Sequence, residues 1–374
     1  MHSDYIKLAS ALLTSFVLTY MFIPSIIKVA NIKHLFDTPG ERKSHHGVIP
    51  TLGGVAIFGG FMIAFCLFAS FDLRTHEMKF ILAALCFTFM LGAKDDIVEL
   101  VASKKFIGQI FAACIIVILG EVRITSLYGL FGISYINEFV SIMLSVVTII
   151  FIINAFNIID GINLLAGSIS ILMSVAFGVW FYYYGFFDYA ILAAAMSGAV
   201  FAFLKYNYTP AKIFMGDSGS LSIGLLAAVL AIQFIEKNEM VLHNGSSDGV
   251  EIIAAPAMAI AILIIPLFDT LRAFTLRILN KKSPFLADRN HIHHRLIDLG
   301  FSHITATYIL IAVNLLFIVV VYFLQSWGNL YLMLFELGLA MMLTFLLFSF
   351  KVKKKMNSRK AEPSMQFSLE MDAR

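Results

Sequence analysis

Charge is scarce in this chain. Only 14% of its 374 residues are Asp, Glu, Lys or Arg, while 60% are hydrophobic. Soluble domains carry about 25% charged residues, so a water-soluble globular enzyme is excluded. The net charge of +3 is too small to argue for a nucleic-acid partner, and none is expected. Cysteine is nearly absent. Cys66, Cys86 and Cys114 sit singly inside apolar runs, an odd and unclustered set that excludes a disulfide framework or a thiolate metal site. There is no long polar insertion, no repeat of fixed period and no evident cleavable signal peptide. The first apolar stretch is long enough to span and is read as a retained helix.

What the chain has is long apolar runs. Eleven of roughly spanning length lie near 5–27, 52–71, 78–93, 106–121, 139–156, 164–184, 188–204, 218–235, 251–268, 304–325 and 329–350. The expected fold is therefore all-α, a polytopic integral membrane protein of about eleven transmembrane helices. Lys and Arg orient it. With the N-terminus outside, 22 of the 27 fall in the inner segments, leaving only Lys7, Arg74, Lys79, Arg123 and Lys237 on the other side. The positive-inside bias predicts an external N-terminus and a cytoplasmic C-terminus. Trp180 and Tyr182 to Tyr184 then fall at the outer interface. Residues 1–350 read as one transmembrane catalytic domain and 351–374 as a basic, disordered cytoplasmic tail. Pro256 and Pro266 allow a kink in the ninth span.

The inner segments carry the chemistry. Asp95-Asp96, Asp160, Asp217 and Asp269 all stand at ends of apolar segments, and on this topology they surface on one side. Carboxylates are rare in such places without a task. Four together are predicted to cage a hard cation such as Mg²⁺. The loop Arg42-Lys43-Ser44-His45-His46 precedes a small-residue helix start whose open N–H groups suit a phosphate. Lys104, Lys105 and Gln109 follow the Asp pair. Asn154, Asn157 and Asp160 recur every third residue and share a helix face. Their alternative task is hydrogen bonding between spans. Asp217 fits either a ligand role or an N-cap, and the ring of Phe214 before it could meet a base. His291, His293 and His294, flanked by Arg289 and Arg295, suit phosphate better than zinc. Asp269 and Arg272, one turn apart, can pair.

Together these motifs resemble the polyprenyl-phosphate N-acetylhexosamine-1-phosphate transferases. The resemblance runs in order through RKSHHGVIPTLGG (42–54), GAKDD (92–96), NAFNIIDG (154–161), NYTPAKIFMGDSGS (207–220), DTLR (269–272) and SPFLADRNHIHH (283–294). The first loop and the His run are most similar to the branch that uses UDP-N-acetylglucosamine, which is related to the phospho-N-acetylmuramoyl-pentapeptide translocases. The resemblance implies a bacterial inner-membrane enzyme with its site at the cytoplasmic face. It implies a Mg²⁺ or Mn²⁺ requirement, a UDP-HexNAc donor, undecaprenyl phosphate as acceptor, a product that starts a cell-surface glycan, and a homodimer. It assigns catalysis to Asp95, Asp96 and Asp160, and the metal to Asp217 with Asn157. Phe214, Asn207, Asn163 and Asn154 would bind the nucleotide-sugar. Lys43, His45, Lys105, Arg289, His291, His293 and His294 would hold phosphate or pyrophosphate. Bacterial relatives commonly have a second Asp where this chain has Asn163, although an amide also reads the uracil edge. From the residues alone, a cation- or proton-coupled transporter is the rival. Its charges would lie at mid-span rather than at one end.

Overall fold

The computed structural model describes residues 2–37, 49–70, 76–243, 251–283 and 290–349. Lys43, His45, Arg289 and the 351–374 tail lie outside these. Apolar runs become helices because a helix satisfies every backbone polar group within its own segment. In chain order they are α1 (His2–Lys33), α2 (Gly53–Phe68), α3 (Glu77–Ile97), α4 (Ala102–Cys114), α5 (Glu138–Ile159), α6 (Leu165–Tyr183), α7 (Phe187–Asn207), α8 (Gly216–His243), α9 (Ala255–Ile262), α10 (Ile264–Leu279), α11 (Ile292–Asp298), α12 (His303–Leu324) and α13 (Asn329–Ser349). A π-helical turn, Ile115–Leu119, extends α4. Phe36–Asp37 (β1) pairs with Ile49–Pro50 (β2), and Ser126–Leu130 (β3) with Ile133–Tyr135 (β4), both antiparallel.

Among the described residues eight helices are long and apolar enough to cross a bilayer, and nine if α9 and α10 count as one bent span. The chain is a multi-pass, all-α membrane protein. The sequence count of eleven is larger because of α2 and α3. The α2 helix has 16 residues, and α3 carries Glu77, Lys79, Lys94, Asp95 and Asp96 near its two ends.

Helix α8 is the axis of the bundle, touched by α2, α3, α5, α6 and α9 and buried along almost its whole length. It runs on to His243, well past the predicted end at 235. Small residues let its neighbours close in. A Cβ on Gly92 of α3 would meet Ser218 Cα at 2.6 Å, so these two backbones touch where the site forms.

Helices α9 and α10 meet at an angle of 81°. Pro266 has no N–H to return to the carbonyl of Ile262, four residues earlier. Asn314 of α12 answers that carbonyl from across the bundle. Its Nδ2 donates to Ile262 O at 3.1 Å and to Ala261 O at 3.0 Å. Asn329 Oδ1 accepts from Ala257 N at the start of α9. Replacing Asn314 with Leu should cost about 1–3 kcal/mol, because both carbonyls would lose that donor in a dry interior. Thermal unfolding in detergent checks this, and an unchanged midpoint would refute it.

Candidate active site

Helix ends far apart in sequence meet at one end of the bundle. Asp95 and Asp96 close α3, Lys105 opens α4, Asn154 and Asn157 lie in the last turns of α5, and Asp217 opens α8. The Lys105 ammonium is shared by two carboxylates. It lies 3.0 Å from Asp95 Oδ2 and bonds Asp217 Oδ2 directly. Asp95 Oδ1 also accepts from Leu100 N at 2.6 Å. On its other oxygen, Asp217 accepts from Asn157 Nδ2, which also donates to Ser220 Oγ at 2.9 Å.

Asp96 faces a different task. Its Oδ1 accepts from Asp217 N at 2.6 Å and its Oδ2 from Ser218 N at 3.0 Å. These are orphan donors of the first turn of α8, so a carboxylate from α3 caps α8 in trans. Gly216 makes this approach fit. Its φ is +72°, and a Cβ there would stand 2.7 Å from both Asp96 oxygens. Side-chain and backbone demands therefore coincide on glycine.

Asp160 terminates α5. Desolvation raises its carboxyl well above the usual range, and Asp217 and Asp96 add to the rise. The next residue, Gly161, leaves room for a histidine, since a Cβ there would lie 2.5 Å from His293 Nε2. The turn then puts Leu164 at φ +71°, which is costly for a non-glycine residue. Asn207 stabilises it by accepting from Leu164 N at 2.6 Å while donating to Ile213 O at 3.0 Å. Asn163 donates to Thr209 Oγ1 at 3.0 Å, its backbone N–H meets His303 Nδ1 at 3.3 Å, and Thr307 donates to its carbonyl.

A second cluster is built on Asp269, which is 1% exposed. Its Oδ2 meets His291 Nδ1 at 3.2 Å and His293 Nδ1 at 3.7 Å, while its Oδ1 accepts from Ile292 N at 3.0 Å and Arg272 Nη2 at 2.9 Å. Arg272 also bonds the carbonyl of Asn290, and Arg295 donates to Asn290 Oδ1. Burial pulls the His293 imidazole below its ordinary value despite Asp269. Through Gly161 the His cluster adjoins the Asp160 turn.

The expectation of a single four-acid cage is therefore corrected. Asp269 is consumed by the His cluster and Asp96 by the α8 terminus, because each finds N–H donors in its own surroundings. Among the described residues no group of three or more His, Cys, Asp or Glu is arranged to hold a metal ion. What remains is the Asp95–Asp217 pair with Asn157, and Asp160 close enough to feel the charge of Asp217. This set fits Mg²⁺, which is commonly bound by one or two carboxylates plus substrate phosphates and water. The pair already gathers one cation, Lys105. The phosphate site expected at residues 51–54 also changes. The N–H groups of Gly53 and Gly54 donate to Phe214 O at 2.9 Å and Met215 O at 2.7 Å. They anchor the loop bearing Phe214 instead of facing a ligand. Asn154 exchanges hydrogen bonds with Gln109 of α4, the interhelical alternative allowed above.

Residues 78–235 match the family model described as glycosyl transferase family 4. Over 317 residues the chain is 31% identical to the decaprenyl-phosphate N-acetylglucosaminephosphotransferase of Mycobacterium leprae, covering 79% of this chain and 78% of the relative. It is 32% identical to a Bacillus subtilis protein named "Probable undecaprenyl-phosphate N-acetylglucosaminyl 1-phosphate transferase", covering 83% of each. The chain belongs to this transferase family. A Salmonella typhi member, undecaprenyl-phosphate alpha-N-acetylglucosaminyl 1-phosphate transferase, is 31% identical over 78% of this chain and 77% of its own.

Within this glycosyl transferase family 4 protein, four residues bearing on the site or the bundle were not anticipated. Ser220 lies one turn from Asp217 on the same face, a spacing visible in the sequence. His303 and Asn314 carry no such signal. Glu336 is an acid inside a span, 1% exposed on α13, with neither oxygen hydrogen-bonded among the described residues. It departs from the rule that the acids lie at helix ends.

Proposed function

We propose that this protein transfers N-acetylglucosamine-1-phosphate from UDP-N-acetylglucosamine to a polyprenyl phosphate, undecaprenyl phosphate in bacteria. The products are UMP and a lipid-linked pyrophosphoryl sugar that starts a cell-surface glycan. The observation that carries this reading is the joint hold of Asp95 and Asp217 on the Lys105 ammonium, at the mouth of a bundle otherwise made for lipid. The Lys and Arg bias supports a cytoplasmic mouth, where a nucleotide-sugar is available.

Two anions must react. An oxygen of the lipid phosphate attacks the β-phosphorus of the donor. The bond from that phosphorus to the oxygen bridging the α-phosphate breaks, and UMP leaves with the electron pair. Repulsion between the reactants makes charge neutralisation and in-line alignment the main tasks. Asp217, Asp95 and Asn157 would hold Mg²⁺, which when bound supplies positive charge to the pyrophosphate. Lys105 adds a fixed cation beside it, and Asp95 orients the acceptor phosphate. His294, the half-buried member of the cluster, faces the donor pyrophosphate, with His291 and His293 buried behind it on Asp269. Asn207 and Asn163 shape the loops that carry Phe214 and Thr209. An apolar cavity of about 370 Å³ between α5, α8, α9 and α10, lined by Val147, Phe151 and Leu267 among others, suits the isoprenoid tail.

The test is UMP release from UDP-N-acetylglucosamine by the purified protein with undecaprenyl phosphate and Mg²⁺. Release that requires the lipid supports the proposal. No UMP under any condition, together with solute flux in proteoliposomes, would leave the transporter reading in its place. Phe214→Ala should raise the KM for the UDP-sugar about tenfold or more, since base–aromatic stacking is worth about 1–3 kcal/mol. If only the KM for lipid moved, Phe214 would not be stacking on uracil.

A further inference from the structure

A second groove lies on the far face of α10. Its volume is about 540 Å³, and Leu337, Met341, Phe345 and Phe348 of α13 form one wall opposite Leu271 and Leu276 of α10. From Leu337 to Phe348 the α13 wall is about 16 Å long at the rise of an α-helix. That is close to the depth of one leaflet of a hydrocarbon core about 30 Å thick. Seven of the ten lining residues are apolar, and two of the others are Thr275 and Thr344. The exception of consequence is Arg272, at the end nearest the His cluster. Its side chain is 10% exposed, and its Nε and Nη1 donors have no partner among the described residues. Arg295 stands beside it, also with an Nε that has no hydrogen-bond partner among the described residues. The two guanidinium carbons lie 5.8 Å and 5.2 Å from the ring of Phe348. In sequence, Lys351, Lys353, Lys354 and Lys355 follow directly.

We propose that this groove binds an anionic phospholipid of the bilayer. One acyl chain lies along Leu337, Met341 and Phe345, and the phosphate sits over Arg272 at the groove mouth, with Arg295 behind Phe348, and draws on their buried, unmet donors. A buried guanidinium with unmet N–H groups at the mouth of an apolar, leaflet-deep groove calls for an amphiphile with a negative head. The occupant is a bilayer lipid and not the acceptor. The acceptor phosphate must reach Asp95, Lys105 and Asp217, which stand on α3, α4 and α8, and none of these helices lines the groove. Because Arg272 also holds Asp269 and Asn290, a lipid there braces the His cluster from behind.

The experiment uses the full chain in neutral detergent. Dioleoylphosphatidylglycerol and dioleoylphosphatidylcholine are titrated separately, and binding is read by native mass spectrometry and thermal unfolding. The expected result is saturable retention of one phosphatidylglycerol, at least tenfold tighter than phosphatidylcholine. Met341→Trp or Leu337→Trp should weaken it at least tenfold, leaving UMP release in phospholipid-free detergent unchanged. Both positions already face the membrane side, at 53% and 38% exposure, so either variant serves if the other fails to fold. Arg295→Gln should erase the preference for the anionic head. Equal binding of the two lipids, undiminished binding by a folded Trp variant, or displacement of phosphatidylglycerol by undecaprenyl phosphate at one equivalent would each overturn the proposal. None of these binding readouts depends on the transfer reaction, so they stand apart from a failure of the proposed activity.

Discussion

Asp217→Ala is expected to abolish transfer, lowering kcat by at least about 10³-fold, the upper end of what a single pre-organised electrostatic group is worth. The reason is the number of roles on one carboxylate. It meets Lys105 on one oxygen and Asn157 on the other, and in the proposed mechanism it is the principal holder of the metal. Stability should change little. Asp95 keeps Lys105 paired at 3.0 Å, and removing one of two facing carboxylates relieves repulsion. Loss of activity with an unaltered unfolding midpoint and elution profile is therefore the signature. Calorimetric titration with Mn²⁺ gives a readout independent of turnover, and the variant should bind at least tenfold more weakly. Turnover within tenfold of wild type, given lipid phosphate in detergent, would refute this role for Asp217.

Asp96→Asn should also cut kcat, by about 10²-fold, but for a different reason. An asparagine has one acceptor oxygen where Asp96 now serves two N–H donors, at 2.6 and 3.0 Å. Its amide nitrogen would turn a donor toward a donor. Charge-assisted hydrogen bonds are worth about 1.5–3 kcal/mol, so the variant should unfold earlier, and the first turn of α8 should shift with Asp217 on it. Displacement of about 1 Å in a reacting constellation can cost about 10²-fold. The discriminating measurement is the pH dependence of kcat/KM. A positioning residue leaves both limbs where they were, whereas a general base takes the acidic limb with it when removed. Gly216→Ala should reproduce the Asp96→Asn phenotype, because its Cβ would strike the same carboxylate and its φ of +72° disfavours alanine. An Asp96→Asn enzyme of unchanged stability that has lost its acidic limb would return Asp96 to the chemistry.

The second prediction separates Asp96 from its neighbour Asp95, which looks like it in the sequence. Asp95 and Asp96 are 100° apart around α3, so one turns to Lys105 and the other to the start of α8. Composition does not encode that division. The same is true of Asn154 and Asn157, one turn apart on α5. The first meets Gln109 of α4 and the second Asp217 of α8, because α5 passes between those helices. Asn207 was legible as a site residue but not as a brace. Its duty arises from Leu164 at φ +71°, a strain that no local pattern announces. Pro266 was legible as a break, but its compensation by Asn314 lies 48 residues downstream.

The amino-acid sequence alone determined the solvent of this protein and its family, because apolar runs need lipid around them and the spaced polar motifs follow in a fixed order. It also determined which side chains stand at the ends of the spans. Only the tertiary structure decided which of them face one another. Partner choice depends on how helices cross and rotate, and those angles are set by close contacts such as Gly92 against Ser218, between segments more than a hundred residues apart.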